Sequence, residues 1–99
     1  MHAVITEKSP GGKLVRIKAD FDIRLKALQI SGDFFLHPEE AIEALERSLL
    51  GTSAAISEAA LAERIDSFLR SQAAEFLGLT PQTLAHAIHL ALNTKGATP

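Results

Sequence analysis

The chain has 99 residues, a formal net charge of −2 and 46% apolar residues, a composition typical of one globular domain. It has no cysteine, which excludes disulfides, thiolate nucleophiles and cysteine-ligated metals. Lysine and arginine are scattered among carboxylates, whereas nucleic-acid binding needs a basic stripe. No apolar run approaches the ~20 residues of a membrane span, and the sequence does not open on a signal peptide. We therefore expect a cytoplasmic protein with no nucleic-acid or membrane partner.

The first third of the chain has the two-residue period of β-strands. A turn signal at 9–12, Ser-Pro-Gly-Gly, follows a short candidate strand. After it, apolar residues alternate with charged ones, at Val15, Ile17, Ala19, Phe21, Ile23, Leu25 and Ala27. This run is too long for one strand and should fold back between Asp20 and Arg24. The alternation then changes phase, and a β-bulge near Ala27–Leu28 would accommodate the change.

The remainder of the chain has a helical period and predicts three helices. The first is predicted to begin at Pro38, because proline is favoured at the first helical position. The second should follow Ser57 and the third Thr80 and Pro81, since serine and threonine are good N-caps. The apolar segment Phe76–Leu79 is predicted to be a connector pinned to the core.

These elements predict an α+β domain, with a small antiparallel sheet of about three strands followed by three helices packed on one face. The helices depend on the sheet, because each has an apolar stripe that must be buried. We expect a single domain over residues 1–99, with a sheet part at about 1–36, a helical part at about 37–94 and a frayed tail at 95–99.

The first candidate for function is the segment Gly11-Gly12-Lys13. Two glycines let the backbone approach a ligand closely, and the lysine after them could neutralise a phosphate. A phosphate-binding loop also requires serine or threonine after the lysine, and Leu14 stands there instead. The alternative interpretation is a hairpin turn with a surface lysine.

The second candidate is the segment 32–38, Gly-Asp-Phe-Phe-Leu-His-Pro. Phe34 and Phe35 are adjacent and cannot both face the same side of a strand, so one is available for a partner surface. In the alternative interpretation, Phe34 caps the core and Phe35 seals the first helix.

The residues predict no catalytic set and no metal site. His86 and His89 lie three residues apart on the third predicted helix, but no third ligand shares a recognised spacing with them. The carboxylates fall on solvated faces or at a helix start, and no nucleophile, base and orienting group can be combined. The pattern favours a binding or scaffold module.

Two stretches, Gly-Gly-Lys-Leu-Val-Arg at 11–16 and Ile-Ser-Gly-Asp-Phe-Phe-Leu-His-Pro-Glu-Glu at 30–40, resemble the accessory domain of lipoate–protein ligases. The second stretch is the specific one, and the resemblance extends through Leu79-Thr80-Pro81. In many of these enzymes the domain follows the catalytic domain in one chain, and in archaeal-type bipartite ligases it is a separate small protein. The catalytic domain, with its ATP and lipoate site, is not in this sequence, so the chain resembles the small subunit.

The resemblance implies a non-catalytic accessory subunit that forms a heterodimer with a catalytic large subunit. It would be needed for the first half-reaction, in which lipoate and ATP give lipoyl-AMP and pyrophosphate. The complex would use ATP, Mg²⁺ and lipoate, and this chain alone would bind none of them. Lipoyl carrier domains would be indirect partners of this chain. Gly11, Gly12 and Lys13 would face the adenylate. The docking surface would comprise Gly32, Asp33, Phe34, Phe35, His37 and Pro38.

The alternative is a free-standing structural or regulatory adaptor that binds another protein. An enzyme in its own right is disfavoured, because the catalytic set is missing from the sequence.

Overall fold

The computed structural model describes residues 1–8 and 13–93 of the chain. These residues form a three-stranded antiparallel sheet, a two-stranded ribbon and three α-helices, which confirms the predicted α+β class. The predicted turn at 9–12 lies outside the described residues. In chain order, the elements are β1 (His2–Lys8), β2 (Leu14–Phe21), β3 (Leu25–Gly32), β4 (Phe35–His37), α1 (Ala41–Leu49), α2 (Glu58–Ser71), β5 (Glu75–Leu77) and α3 (Pro81–Leu92).

The large sheet is an antiparallel meander in the order β1-β2-β3. The chain reverses between β2 and β3 at 22–24, as the sequence predicts. The register shifts where Asp20 pairs with Ala27 but Phe21 pairs with Leu25, so Lys26 is the extra residue of a bulge. The bulge lies one residue before its predicted position. Because it absorbs the change of phase in the apolar alternation, Leu25 before it and Ile30 after it both point towards the core.

All three helices lie on one side of this sheet. Helix α3 packs against β1 and β2, α1 packs against β3, and α2 packs against the other two helices. Burial of an aliphatic side chain stabilises a fold by roughly 1.5–3 kcal/mol, so the sheet and the helices depend on each other. The fully buried side chains come from both layers, among them Ile17, Leu25, Leu45, Leu49, Leu61, Ile65, Leu84 and Ile88.

The predicted starts of the second and third helices are confirmed. The Ser57 hydroxyl accepts a hydrogen bond from the Ala60 N–H at 3.1 Å, which caps α2. The Thr80 hydroxyl accepts one from the Thr83 N–H at 3.1 Å, and Pro81 opens α3. None of the helices formed by the described residues is long and apolar enough to cross a membrane.

The predicted start of the first helix at Pro38 is wrong. Helix α1 begins at Ala41, because His37 still belongs to β4 and the next residues form a tight turn. In that turn the Ala41 N–H donates to the Pro38 carbonyl at 3.0 Å. The peptide bond between His37 and Pro38 is cis.

The segment predicted as a connector, Phe76–Leu79, is in part a strand. Strand β5 begins at Glu75 and pairs antiparallel with β4. Three residues are too few for a two-residue period to be recognised in a sequence. The ribbon of β4 and β5 therefore links the segment before α1 to the segment before α3.

Candidate docking surface

The β4–β5 ribbon has one face on the core and one face in solvent. Phe35 lies opposite Leu77, Leu36 opposite Phe76, and His37 opposite Glu75. Because side chains alternate along a strand, Leu36 and Phe76 point inward, where Leu36 is buried and Phe76 half-buried. The opposite face carries Phe35, Leu77, His37 and Glu75, and we call it the outer face of the ribbon.

The outer face exposes an apolar pair. Phe35 is 69% exposed and Leu77 is 53% exposed, although both are large hydrophobic side chains. Residues directly opposite in an antiparallel pair have Cβ atoms about 4.5–5.5 Å apart, so the two side chains form one patch. An exposed aromatic side chain within an apolar patch is typical of a protein–protein interface.

The two adjacent phenylalanines have different environments. Phe34 is half-buried and meets Phe76 edge to face, with ring centroids 5.6 Å apart and an interplanar angle of 80°. This contact holds the ribbon on the core. Phe35 faces solvent and does not seal the first helix. The alternative interpretation of this segment is therefore correct for Phe34 and wrong for Phe35.

Gly32 fixes how the chain leaves the sheet and enters the ribbon. Its φ is +151°, and a Cβ added to it would overlap the carbonyl oxygen of Leu14. The same carbonyl accepts a hydrogen bond from the Asp33 N–H at 2.9 Å. Only glycine allows this close approach, which joins the start of β2 to the end of β3.

The Leu14–Asp33 contact brings the two candidate segments of the sequence together. Lys13 is exposed, and its aliphatic chain lies over Gly78, directly after Leu77. A Cβ added to Gly78 would lie 3.5 Å from Lys13 Cε. Lys13 therefore stands at the rim of the apolar patch. The other two residues of the first candidate, Gly11 and Gly12, lie outside the described residues.

The rest of the second candidate segment flanks Phe35 along the chain. Asp33 and His37 are exposed and Pro38 is half-buried. A shallow groove beside the ribbon is lined in part by Ile30, Gly32, Phe34, Phe35, Glu39 and Ile42. The contribution of β5 was not predicted from the sequence, because the only signal for this strand is the short Glu-Phe-Leu triplet before Gly78.

The histidines of α3 contact side chains nearby. His86 Nδ1 lies 3.0 Å from the Glu58 carboxylate at the start of α2, and both side chains are about half exposed. The amide nitrogen of Asn93 lies 3.4 Å from the ring of His89. Within the described part of the chain, no three or more His, Cys, Asp or Glu side chains gather where they could hold a metal ion.

Comparisons with known proteins identify the family. No protein-family model matches the chain. Lipoate-protein ligase A subunit 2 of Thermoplasma acidophilum is 42% identical over 55 residues, which span 54% of this chain and 58% of that protein. A chain in the solved archaeal lipoylation system of the same organism, a bi-partite lipoate protein ligase and its lipoyl domain, has a TM-score of 0.70. That match has 31% sequence identity and covers 89% of this chain and 97% of the other.

This chain belongs to the accessory-subunit family of bipartite lipoate–protein ligases. This is the family that the segments 11–16 and 30–40 resemble. The sequence alignment with the curated relative spans less than two thirds of that protein, whereas the structural match spans nearly all of the solved chain. The accessory-subunit fold therefore includes both the sheet and the helices.

Proposed function

We propose that this chain is the non-catalytic accessory subunit of a cytoplasmic two-chain lipoate–protein ligase. Its partner, a catalytic large subunit, would need it to activate lipoate with ATP. In that reaction the lipoate carboxylate attacks the α-phosphorus of ATP, lipoyl-AMP forms and pyrophosphate leaves. The observation that carries the proposal is the exposed Phe35–Leu77 pair on a chain of this family.

The outer face of the ribbon is the surface that we assign to docking. Phe35 and Leu77 supply apolar contact at its centre, and His37 and Glu75 supply polar groups beside it. Docking would order the loops of the catalytic subunit around its substrates. Exclusion of water would then protect the acyl-adenylate from hydrolysis.

In this proposal ATP, Mg²⁺ and lipoate are held by the catalytic subunit. The accessory subunit contributes the positive charge of Lys13 at the rim of the patch, on the side of the adenylate. It then swings away from the adenylate, while still bound to the catalytic subunit, so that a lipoyl carrier domain can enter. The lysine amine of that domain attacks the lipoyl carbonyl, an amide forms, a proton is lost and AMP leaves.

The test is to measure pyrophosphate release from lipoate and ATP with each chain omitted in turn. We expect release with both chains together and little release from either chain alone. Full-rate release by the catalytic subunit alone would contradict the proposal. If the two chains also failed to co-purify, the adaptor alternative would be favoured.

A further inference from the structure

The solvent face of the three-stranded sheet gathers three cations that are separated in the sequence. Arg16 and Lys18 alternate with buried residues along β2, so both point into solvent. Lys8 on the neighbouring β1 pairs with Leu14 and points to the same side. Arg16 and Lys18 are two residues apart on one strand and therefore about 6.6–6.8 Å apart, and Lys8 lies diagonally across from Arg16 on the neighbouring strand. We call this group the basic sheet face.

These three cations have no ion-pair partner among the described residues. Asp20 follows Lys18 by two residues on the same face, but its carboxylate lies 3.7 Å from the N-terminal ammonium instead. Arg16 pairs across the sheet with Thr6 and Ser31, and Lys18 pairs with Val4 and Gln29, none of which carries a charge. Their side chains form no hydrogen bond and no ion pair with any residue in the ranges 1–8 and 13–93. Other cations of the chain differ in this respect, as shown by the ion pairs Lys26–Asp22 at 2.6 Å and Arg70–Asp66 at 2.8 Å.

The charge of the chain is segregated between its two parts. Residues 1–32 contain six lysines and arginines and three carboxylates, whereas residues 33–99 contain four and nine. Residues 1–32 therefore have a charge of +3 and residues 33–99 a charge of −5, although the net charge is only −2. A cationic face with few carboxylates attracts a negatively charged partner over distances of about one Debye length, ~8–10 Å.

The composition of the basic sheet face indicates a partner that binds briefly. Val4 and Leu14 are exposed large apolar side chains on this face, but Arg16 lies between their rows, so the face lacks the continuous apolar centre of a lasting interface. Charge complementarity mainly accelerates association, which suits a partner that must arrive and leave in every catalytic cycle. Three cations are few for nucleic acid, because such proteins neutralise roughly 6–10 phosphates.

We propose that the basic sheet face receives an acidic surface of the acceptor protein, the lipoyl carrier domain whose lysine takes the acyl group. This proposal rests on the proposed function and adds a second surface to it. The outer face of the ribbon binds the catalytic subunit, and the basic sheet face guides the acceptor domain. The complementary acceptor surface carries at least two carboxylates about 7 Å apart, matching Arg16 and Lys18.

The test uses the reconstituted two-chain ligase with the double variant Arg16→Glu/Lys18→Glu in the accessory subunit. The matched control is Arg47→Glu/Arg70→Glu, which makes the same change of charge at exposed positions on α1 and α2. We expect the double variant to raise the KM for the lipoyl domain about tenfold or more and to leave kcat and lipoyl-AMP formation unchanged. The control should change KM less than about twofold.

Salt provides a second readout. The wild-type KM for the lipoyl domain should rise steeply between about 0.05 and 0.3 M KCl, and the KM of the double variant should respond much less. An unchanged KM in the double variant, with normal lipoyl-AMP formation, would overturn this inference and leave the proposed function intact. Loss of lipoyl-AMP formation in the double variant would also overturn it, because the face would then serve the catalytic subunit. Salt-sensitive binding of a DNA oligonucleotide to the chain, with displacement of the lipoyl domain, would overturn the inference as well.

Discussion

The carboxylate of Glu46 accepts a hydrogen bond from the backbone N–H of Ile30, with a distance of 2.7 Å. Strand β3 is at the edge of the sheet, so the Ile30 N–H has no neighbouring strand to accept its hydrogen bond. The bond to Glu46 satisfies this donor and attaches α1 to β3. The ribbon strand β4 lies between β3 and α1 in the sequence, so the same bond fixes both ends of the segment that carries Phe35.

Replacement of Glu46 should therefore lower stability. We expect Glu46→Ala to reduce the free energy of unfolding by about 1–3 kcal/mol, because the Ile30 N–H loses its acceptor. Glu46→Gln keeps an oxygen acceptor and should lose less. Glu43→Ala, at an exposed position of the same helix, is the control and should stay within about 0.5 kcal/mol of wild type. Urea unfolding measures all three, and equal losses in Glu46→Ala and Glu43→Ala would contradict the role of this bond.

Gly32 should be far less tolerant of substitution than Gly51. Gly51 also has a positive φ, of +87°, but an added Cβ would meet nothing within 4 Å. Gly51→Ala should cost about 1–2 kcal/mol for backbone strain alone. Gly32→Ala adds the overlap with the Leu14 carbonyl and should cost at least about 1–3 kcal/mol more. The comparison uses free energies of unfolding in urea, and similar values for the two variants would argue against the close approach at Gly32.

Asp22 gives the fold a pH-sensitive contact. The hydrogen bond and the charge of Lys26, whose Nζ lies 2.6 Å from the Asp22 carboxylate, lower the pKa of Asp22 and raise the pKa of Lys26. The N-terminal ammonium lowers the pKa of Asp22 further. Because the folded pKa of Asp22 is below its unfolded value of about 3.9, the contact stabilises the fold above that pH. The stabilisation disappears as the pH falls through the lowered pKa.

The pKa of Asp22 can be followed by NMR titration of its carboxyl carbon. We expect Lys26→Ala to raise this pKa towards the ordinary aspartate value, since the largest cause of the shift is removed. Arg70→Ala, which removes a cation paired with Asp66, should leave the Asp22 pKa unchanged. An Asp22 pKa that is the same in Lys26→Ala and wild type would contradict the assignment.

Lys13 tests whether the rim of the apolar patch faces the adenylate. If Lys13 faces the adenylate as proposed, Lys13→Gln should slow pyrophosphate release by the reconstituted ligase by about tenfold, because a positive charge near the phosphates would be lost. Binding to the catalytic subunit should change little. Lys26→Gln, at the far end of the sheet, is the control for loss of one surface lysine. Wild-type pyrophosphate release by Lys13→Gln would remove this residue from the site.

The sequence was sufficient for the features that arise from local patterns. Alternation along 15–21 predicted the buried and solvent faces of β2, and the capping residues Ser57 and Thr80 predicted two helix starts. The same alternation was wrong for Ile23 and Ala27, which are exposed because Ile23 lies in the turn and Ala27 follows the bulge. The ribbon could not be predicted, because β4 and β5 have three residues each and their paired residues are at least 38 positions apart in the sequence. For the same reason the meeting of Lys13 with Gly78, and of Phe35 with Leu77, needed the structure.

The central claim is that the outer face of the ribbon docks on the catalytic subunit. Its most direct test is the Kd of that complex, measured by calorimetry for wild type, Phe35→Asp and Ile23→Asp. Ile23 is 81% exposed and lies in the β2–β3 turn, at the opposite end of the sheet from Gly32, so it is a matched control for an exposed apolar residue. We predict that Phe35→Asp weakens binding about thirtyfold or more, as expected for a buried aromatic contact, and that Ile23→Asp binds like wild type. Equal affinity of Phe35→Asp and wild type for the catalytic subunit would contradict the claim.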